Sequence, residues 1–276
     1  MDDQSMKLPK SLPRFEPGWV WLAGAGPGDA GLLSLHALHA LGQADVVVHD
    51  ALVSAEVLSL ARSGARLEYA GKRGGKPSHS QGDISLRLIE LARRGERVLR
   101  LKGGDPMLFG RGAEEALALL SAKVPFRIIP GISAGLGAMA CAGIALTHRD
   151  YTHAVTFLTG HNMTQSENLS APPLDWNALA TGSPVLVIYM GLSNLDAIVE
   201  QLLSNGRSRE EPLAIVSEVS LPGQRVLETN LGNAVADAKA ANMPTPALLV
   251  VGEILRLRGQ LCPGESVEEE KISRVV

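Results

Sequence analysis

With 276 residues, a formal charge of −3 and only 4% aromatic residues, the chain has room for two domains but no basic field or stacking surface suited to nucleic acid. Its two cysteines, Cys141 and Cys262, lie far apart without CxxC spacing, which excludes a disulfide framework or a zinc ribbon and suits a reducing cytoplasm. No apolar run reaches the length of a membrane span and the first residues lack a signal-type apolar core, so a cytoplasmic protein without a membrane partner is expected.

Residues 1–18, with mixed charges and several prolines, read as an irregular tail. From Trp19 apolar runs alternate with helix-period segments: VWLA, LLSLHALHAL, ADVVVH, a helix near 55–62, RLEYA, a helix over 83–94, RVLRL, a helix near 113–121, and FRIIP. Crossovers between parallel strands need a helix-sized connection, so the alternation predicts a largely parallel sheet flanked by helices, an α/β domain over residues 19–131. Ser80 and Asp83 form a capping-box pattern ahead of Ile84, Leu88 and Leu91, and Gly95 is a natural stop. The small-residue stretch ISAGLGAMACAGIAL allows close helix packing or a link between lobes, and the domain boundary is placed there. A second α/β domain over 132–262 follows with AVTFLTG, PVLVIYMG, PLAIVS, RVLETN and ALLVVGEIL as apolar runs. Its predicted helices cover 193–204, where Leu195, Ile198, Val199, Leu202 and Leu203 form one stripe, and 234–241. Residues 263–276 read as a mobile tail.

Three loops end predicted strands and carry the chemistry. LAGAGPGD, residues 22–29, offers the first two glycines of a dinucleotide fingerprint with Asp45 or Asp50 as the ribose acid, but Asp29 stands at the third glycine position, where an acid repels a pyrophosphate. A tight strand-to-helix turn is an equally good reading of that loop. LKGGDPMLFGRGAEE, from Leu101, bares backbone groups at Gly103 and Gly104 just before Asp105 and Pro106 fix the next turn, at the strand end where open α/β sheets bind ligands. PGISAG, from Pro130, adds the Ser133 hydroxyl.

GAGPGD, VVVHDALVS, GKRGG, RLKGGDPMLFGRGAEE, VPFRIIPGISAG, GIALTHR, TGH, VIYMG and PALLVVGE, in this order, resemble the tetrapyrrole methylase family from about Trp19 to Leu261. GKRGG, FGRGAEE and THR together resemble the branch acting on uroporphyrinogen III. The resemblance implies two α/β lobes with S-adenosyl-L-methionine in the cleft between them, a homodimer, and two successive C-methylations of uroporphyrinogen III, through precorrin-1 to precorrin-2, for sirohaem or cobalamin synthesis. S-adenosyl-L-homocysteine would be the cofactor product. Only the short tail precedes the first strand, so no dehydrogenase and ferrochelatase module is expected in front.

By the same resemblance, cofactor contacts fall on Pro27, Gly103, Gly104, Asp105, Leu108, Ser133, Ala134, Met190 and Val219, with Ser133 in place of a threonine and Val219 in place of a smaller residue. Met190, at a strand end, reads as core packing on residues alone. Proton handling falls on Asp50 and Lys72, with Arg111 as a further catalytic candidate; a guanidinium rarely gives up its proton, so orienting a carboxylate suits Arg111 better. The octacarboxylate substrate calls for cations, and Arg73, Lys102 and Arg149 are the substrate-binding candidates, while Lys76 and Arg100 also read as solvated surface charge. Glu114, three residues beyond Arg111, reads as its brace. No metal is needed: His36 and His39 share a helix face without further ligands, and His148 and His161 sit in family motifs with no assigned task. Two other readings stand beside the methyltransferase, a dinucleotide-dependent oxidoreductase and a non-catalytic ligand sensor.

Overall fold

The computed structural model describes residues 9–70, 81–161 and 173–262, and the chain divides into two compact units, Met1–Ser133 and Ala134–Val276. The first unit runs β1 (Val20–Gly24), α1 (Leu35–Leu41), β2 (Val46–His49), α2 (Ala55–Ser59), β3 (Arg66–Tyr69), α3 (Gln81–Arg93), β4 (Val98–Lys102), α4 (Gly112–Ser121) and β5 (Phe126–Ile129). All its strand pairs are parallel, in the order β3-β2-β4-β1-β5. Successive side chains point to opposite faces of a strand, so each apolar run feeds two layers at once. Trp21, Ala23, Val47, Leu99 and Leu101 pack with Ala37, Leu41 and Val57 of α1 and α2. Val20, Leu22, Val46, Val48 and Val98 pack with Leu88, Leu91, Ala116 and Leu119 of α3 and α4.

Local signals explain where these helices begin and end. Ser34 and Ser54 cap α1 and α2 by accepting the amide protons of Ala37 and Val57, at 3.2 and 3.3 Å. Gly95 follows α3 at φ +81°, a left-handed conformation that glycine enters without steric cost. The capping box predicted at Ser80 lies outside the described residues. The segment before β1 is irregular yet not detached: Phe15 is buried and its ring stacks on Trp21 at 4.4 Å between centroids.

The second unit is α/β as well, but its sheet is mixed. Its sheet contains β6 (Thr156–Thr159), β7 (Leu186–Tyr189), β8 (Pro212–Ser217), β9 (Arg225–Asn230) and β10 (Ala247–Val251) in the order β6-β7-β10-β8-β9. Of these strands only β6 and β7 pair in parallel; the other three pairs are antiparallel. Residues 218–224 are too few for a crossover helix, so β9 folds straight back on β8. The helices of this unit are α5 (Trp176–Gly182), α6 (Leu195–Ser204), α7 (Ala234–Ala240) and α8 (Arg258–Leu261). The predicted stripe of α6 is real: Leu195, Ile198, Val199 and Leu202 are buried against the sheet. The small-residue stretch forms a short 3-10 turn, Ala138–Ala142, rather than a long helix, and its small side chains let Met139 sit among Val185, Val187 and Val216. Among the described residues, no helix is long and apolar enough to cross a membrane.

Candidate functional site

In the first unit the loops after β1, β4 and β5 stand side by side at the carboxyl ends of adjacent strands, and glycine makes that approach possible. A Cβ on Gly131 would fall 2.3 Å from the Gly104 carbonyl oxygen and 2.7 Å from Gly24 Cα. One on Gly24 would meet the same carbonyl at 2.4 Å. Backbone hydrogen bonds then lace the loops: Gly104 N–H donates to Gly26 O at 2.7 Å, Gly26 N–H to Gly104 O at 3.2 Å, and Ala25 N–H to Lys102 O at 2.7 Å. Asp105 completes the seam, accepting from Met107 N–H at 2.7 Å through Oδ1 and from Gly131 N–H at 3.0 Å through Oδ2. The GAGPGD loop is therefore fastened through its backbone to the GGDP loop. Its Asp29 caps a one-turn 3-10 segment by accepting from Gly31 N–H at 2.7 Å, which accounts for the acid that breaks the dinucleotide fingerprint.

Asp50 follows β2 directly, and its Oδ1 accepts the Gly103 amide proton at 3.3 Å, so a candidate catalytic carboxylate touches the candidate cofactor loop. Behind it lies a buried charge cluster. Arg100 Nη2 is 3.6 Å from Asp50 Oδ2, while Arg100 Nε and Lys102 Nζ donate to the same oxygen of Glu115, Oε1, at 3.2 and 3.1 Å. Lys102, a substrate-binding candidate from sequence, is thus buried with its ammonium directed at Glu115. Because alternate residues of a strand share a face, the layer of α4 that buries Val98 buries Arg100 and Lys102 too. Burial and the neighbouring Arg100 guanidinium push the Lys102 ammonium below the ordinary lysine range, against the opposing pull of Glu115 and Asp50.

Arg111 sits at φ +58° ahead of α4, and its exposed guanidinium makes a two-point grip on Glu114, at 2.9 and 2.6 Å. That grip raises the Arg111 pKa further above its ordinary value and lowers that of Glu114, which leaves Arg111 a cation rather than a base. Gly104, at φ +66°, lies beside buried Ser133, and Pro27 and Leu108 are half-buried. In the second unit Met190 is exposed at φ +53°, against its reading as core packing. Val219 is the reverse case, with its side chain spent on the core between Glu218 and Ser220, both at positive φ. Ala134 packs against that same core. Arg149 is exposed on the turn that pairs His148 with Thr152, a cation carried on a surface loop. Lys72, Arg73 and Lys76 lie outside the described residues.

Two further residues were not anticipated. Glu115 is fully buried, and its signal was only the second acid of FGRGAEE. Tyr189 accepts the Gly135 amide proton on its hydroxyl at 2.9 Å, beside Met190. Gly160 and Gly191 approach so closely that a Cβ on the former would fall 2.7 Å from the latter's Cα, so TGH and YMG are knit as tightly as the first unit's loops. Among the described residues, no three His, Cys, Asp or Glu side chains are grouped to hold a metal ion.

Comparison with known proteins agrees with this architecture. Over 250 residues the chain is 60% identical to a uroporphyrinogen-III C-methyltransferase of a Sinorhizobium species, covering 91% of this chain and 88% of the relative. It is 47% identical to the sirohaem synthase of Zymomonas mobilis over 92% of this chain, yet spans only 53% of that longer protein. The solved uroporphyrin-III C-methyltransferase of Thermus thermophilus, complexed with S-adenosylhomocysteine, superposes with a TM-score of 0.72 at 38% identity, covering 86% of this chain and 99% of that one. The family model for tetrapyrrole (corrin/porphyrin) methylases matches residues 20–235, and the chain belongs to that family.

Proposed function

We propose that the chain is an S-adenosylmethionine-dependent methyltransferase that methylates uroporphyrinogen III twice, through precorrin-1, to give precorrin-2. The observation that carries this reading is the interlocked loop set of the first unit, in which Asp50 meets Gly103 at the mouth of GGDP, in a chain of this family. The residues present suit the cofactor. Gly104 carries no side chain beside the Ser133 hydroxyl, and Asp105 adds negative charge for a sulfonium. When bound, the cofactor supplies an electrophilic methyl group.

In each transfer a ring carbon of the substrate displaces the sulfur, the C–S electron pair stays with sulfur, and the substrate then gives up a proton. Asp50, partly exposed and oriented by Gly103 N–H, is the group we assign to that proton, together with Lys72. For the substrate's carboxylates we assign Arg111 and Arg149, each exposed in its own unit, and, by the family resemblance alone, Arg73. Lys102 leaves this set, since its ammonium is committed to Glu115. Most of the acceleration comes from holding the reactants in line. We further infer a homodimer, as the family resemblance implies, working in the cytoplasm, as the cysteine usage suggests.

The test is anaerobic incubation of the purified chain with S-adenosylmethionine and uroporphyrinogen III. Two methyl additions per macrocycle and two S-adenosylhomocysteine molecules released are expected. A protein that binds S-adenosylhomocysteine yet transfers no methyl would be a sensor, and one that binds NADH in its place would overturn the reading.

A further inference from the structure

Two cations on the central strand of a buried sheet need an explanation. β4 is flanked by β1 and β2 and covered by α3 and α4, and burying charge there is costly unless it is paired. Pairing is what Glu115 provides. From the first turn of α4 it offers one oxygen to Arg100 Nε at 3.2 Å and to Lys102 Nζ at 3.1 Å, with its own side chain at 0% exposure. Arg100 is then fixed at its other end too, since Nη1 donates to Val48 O at 3.4 Å and Leu101 O at 3.3 Å. Its remaining terminus, Nη2, lies 3.6 Å from Asp50 Oδ2.

Stability alone does not account for this cluster, because buried ion pairs can often be replaced by well-packed apolar side chains without loss. Its geometry does. The chain of contacts starts at a helix, crosses β4 and ends on the carboxylate that also receives the Gly103 amide at 3.3 Å. We infer that Glu115 is a positioning residue: through Arg100 it fixes the carboxylate of Asp50, and through Asp50 the first glycine of GGDP. Arg100 serves two carboxylates with one positive charge, and Lys102 supplies the second, which explains a lysine held inside the sheet. The inference rests on the assignment of Asp50 to proton handling.

The experiment compares E115Q, D50N and the double variant by kcat and KM for uroporphyrinogen III, with calorimetric binding of S-adenosylhomocysteine as a check of the folded site. Displacement of a reacting group by about 1 Å costs on the order of 10²-fold, so E115Q is expected to lower kcat by about that factor while KM moves little. Sites coupled through one network are not additive, so adding E115Q to D50N should lower kcat by less than about twofold more. An undiminished E115Q penalty in the D50N background would overturn the positioning role and leave the proposed function intact. A D50N enzyme with unchanged kcat would instead remove the assignment of Asp50, and this inference with it. If E115Q does not fold, the same cycle with K102M/E115Q, which removes one cation with its counter-charge, separates the same two outcomes.

Discussion

The two sheets have equally central strands built on opposite terms. β10, between β7 and β8, is an unbroken apolar run with Leu248 to Val251 buried, whereas β4, between β1 and β2, is as deeply buried and carries Arg100 and Lys102. An apolar strand of that kind holds a sheet together through area removed from water and directs nothing in particular. A charged one has to be paired, and the pairing gives it a direction: from Glu115 outward to Asp50 and the loop beyond.

Three substitutions sharpen that contrast. The largest effect is expected from Gly131→Val, where the new side chain meets the Gly104 carbonyl and Gly24 Cα, both backbone and unable to give way. Overpacking combined with loop separation should cost roughly 4 kcal/mol or more and abolish S-adenosylhomocysteine binding. Urea unfolding and calorimetry check it, and a variant with normal affinity would mean the loops can part without consequence. Leu249→Ala in β10 comes next, with a stability loss of about 2–5 kcal/mol for a fully buried leucine. If apolar strands only hold the sheet, kcat per folded molecule should not change, and a kcat that fell as in E115Q would erase the distinction between the strands. Glu114→Ala is the smallest. The pair is exposed, so stability should move by no more than about 0.5 kcal/mol, while loss of the brace that orients Arg111 should raise KM for the tetrapyrrole.

Much of this was legible in the sequence, for reasons that can be named. The first unit's strands and helices follow from apolar runs separated by segments of helical period, and the GGDP and PGIS loops announce themselves through glycine at strand ends. The strand directions of the second unit were harder to read, because its apolar runs look like those of the first. The better signal was length: Leu221-Pro222-Gly223 lies in a connection too short for a crossover and marks a hairpin. The fate of Lys102 was half legible. Alternation along Val98-Leu99-Arg100-Leu101-Lys102 puts both cations on one face, but their partner lies thirteen residues from Lys102 and is brought back by α4. Nothing in the local sequence separates an exposed Met190 from a buried one; its left-handed backbone turns it outward.

The stacking of Phe15 on Trp21 has a practical consequence. The indole is closed on one side by that ring and lies 5.3 Å from the Arg127 guanidinium of β5, so it is shielded from solvent by a segment that has no regular secondary structure. Expression designs trimmed to begin at the first strand would strip away that cover. The resulting red-shifted tryptophan emission would betray a damaged interior before any assay did.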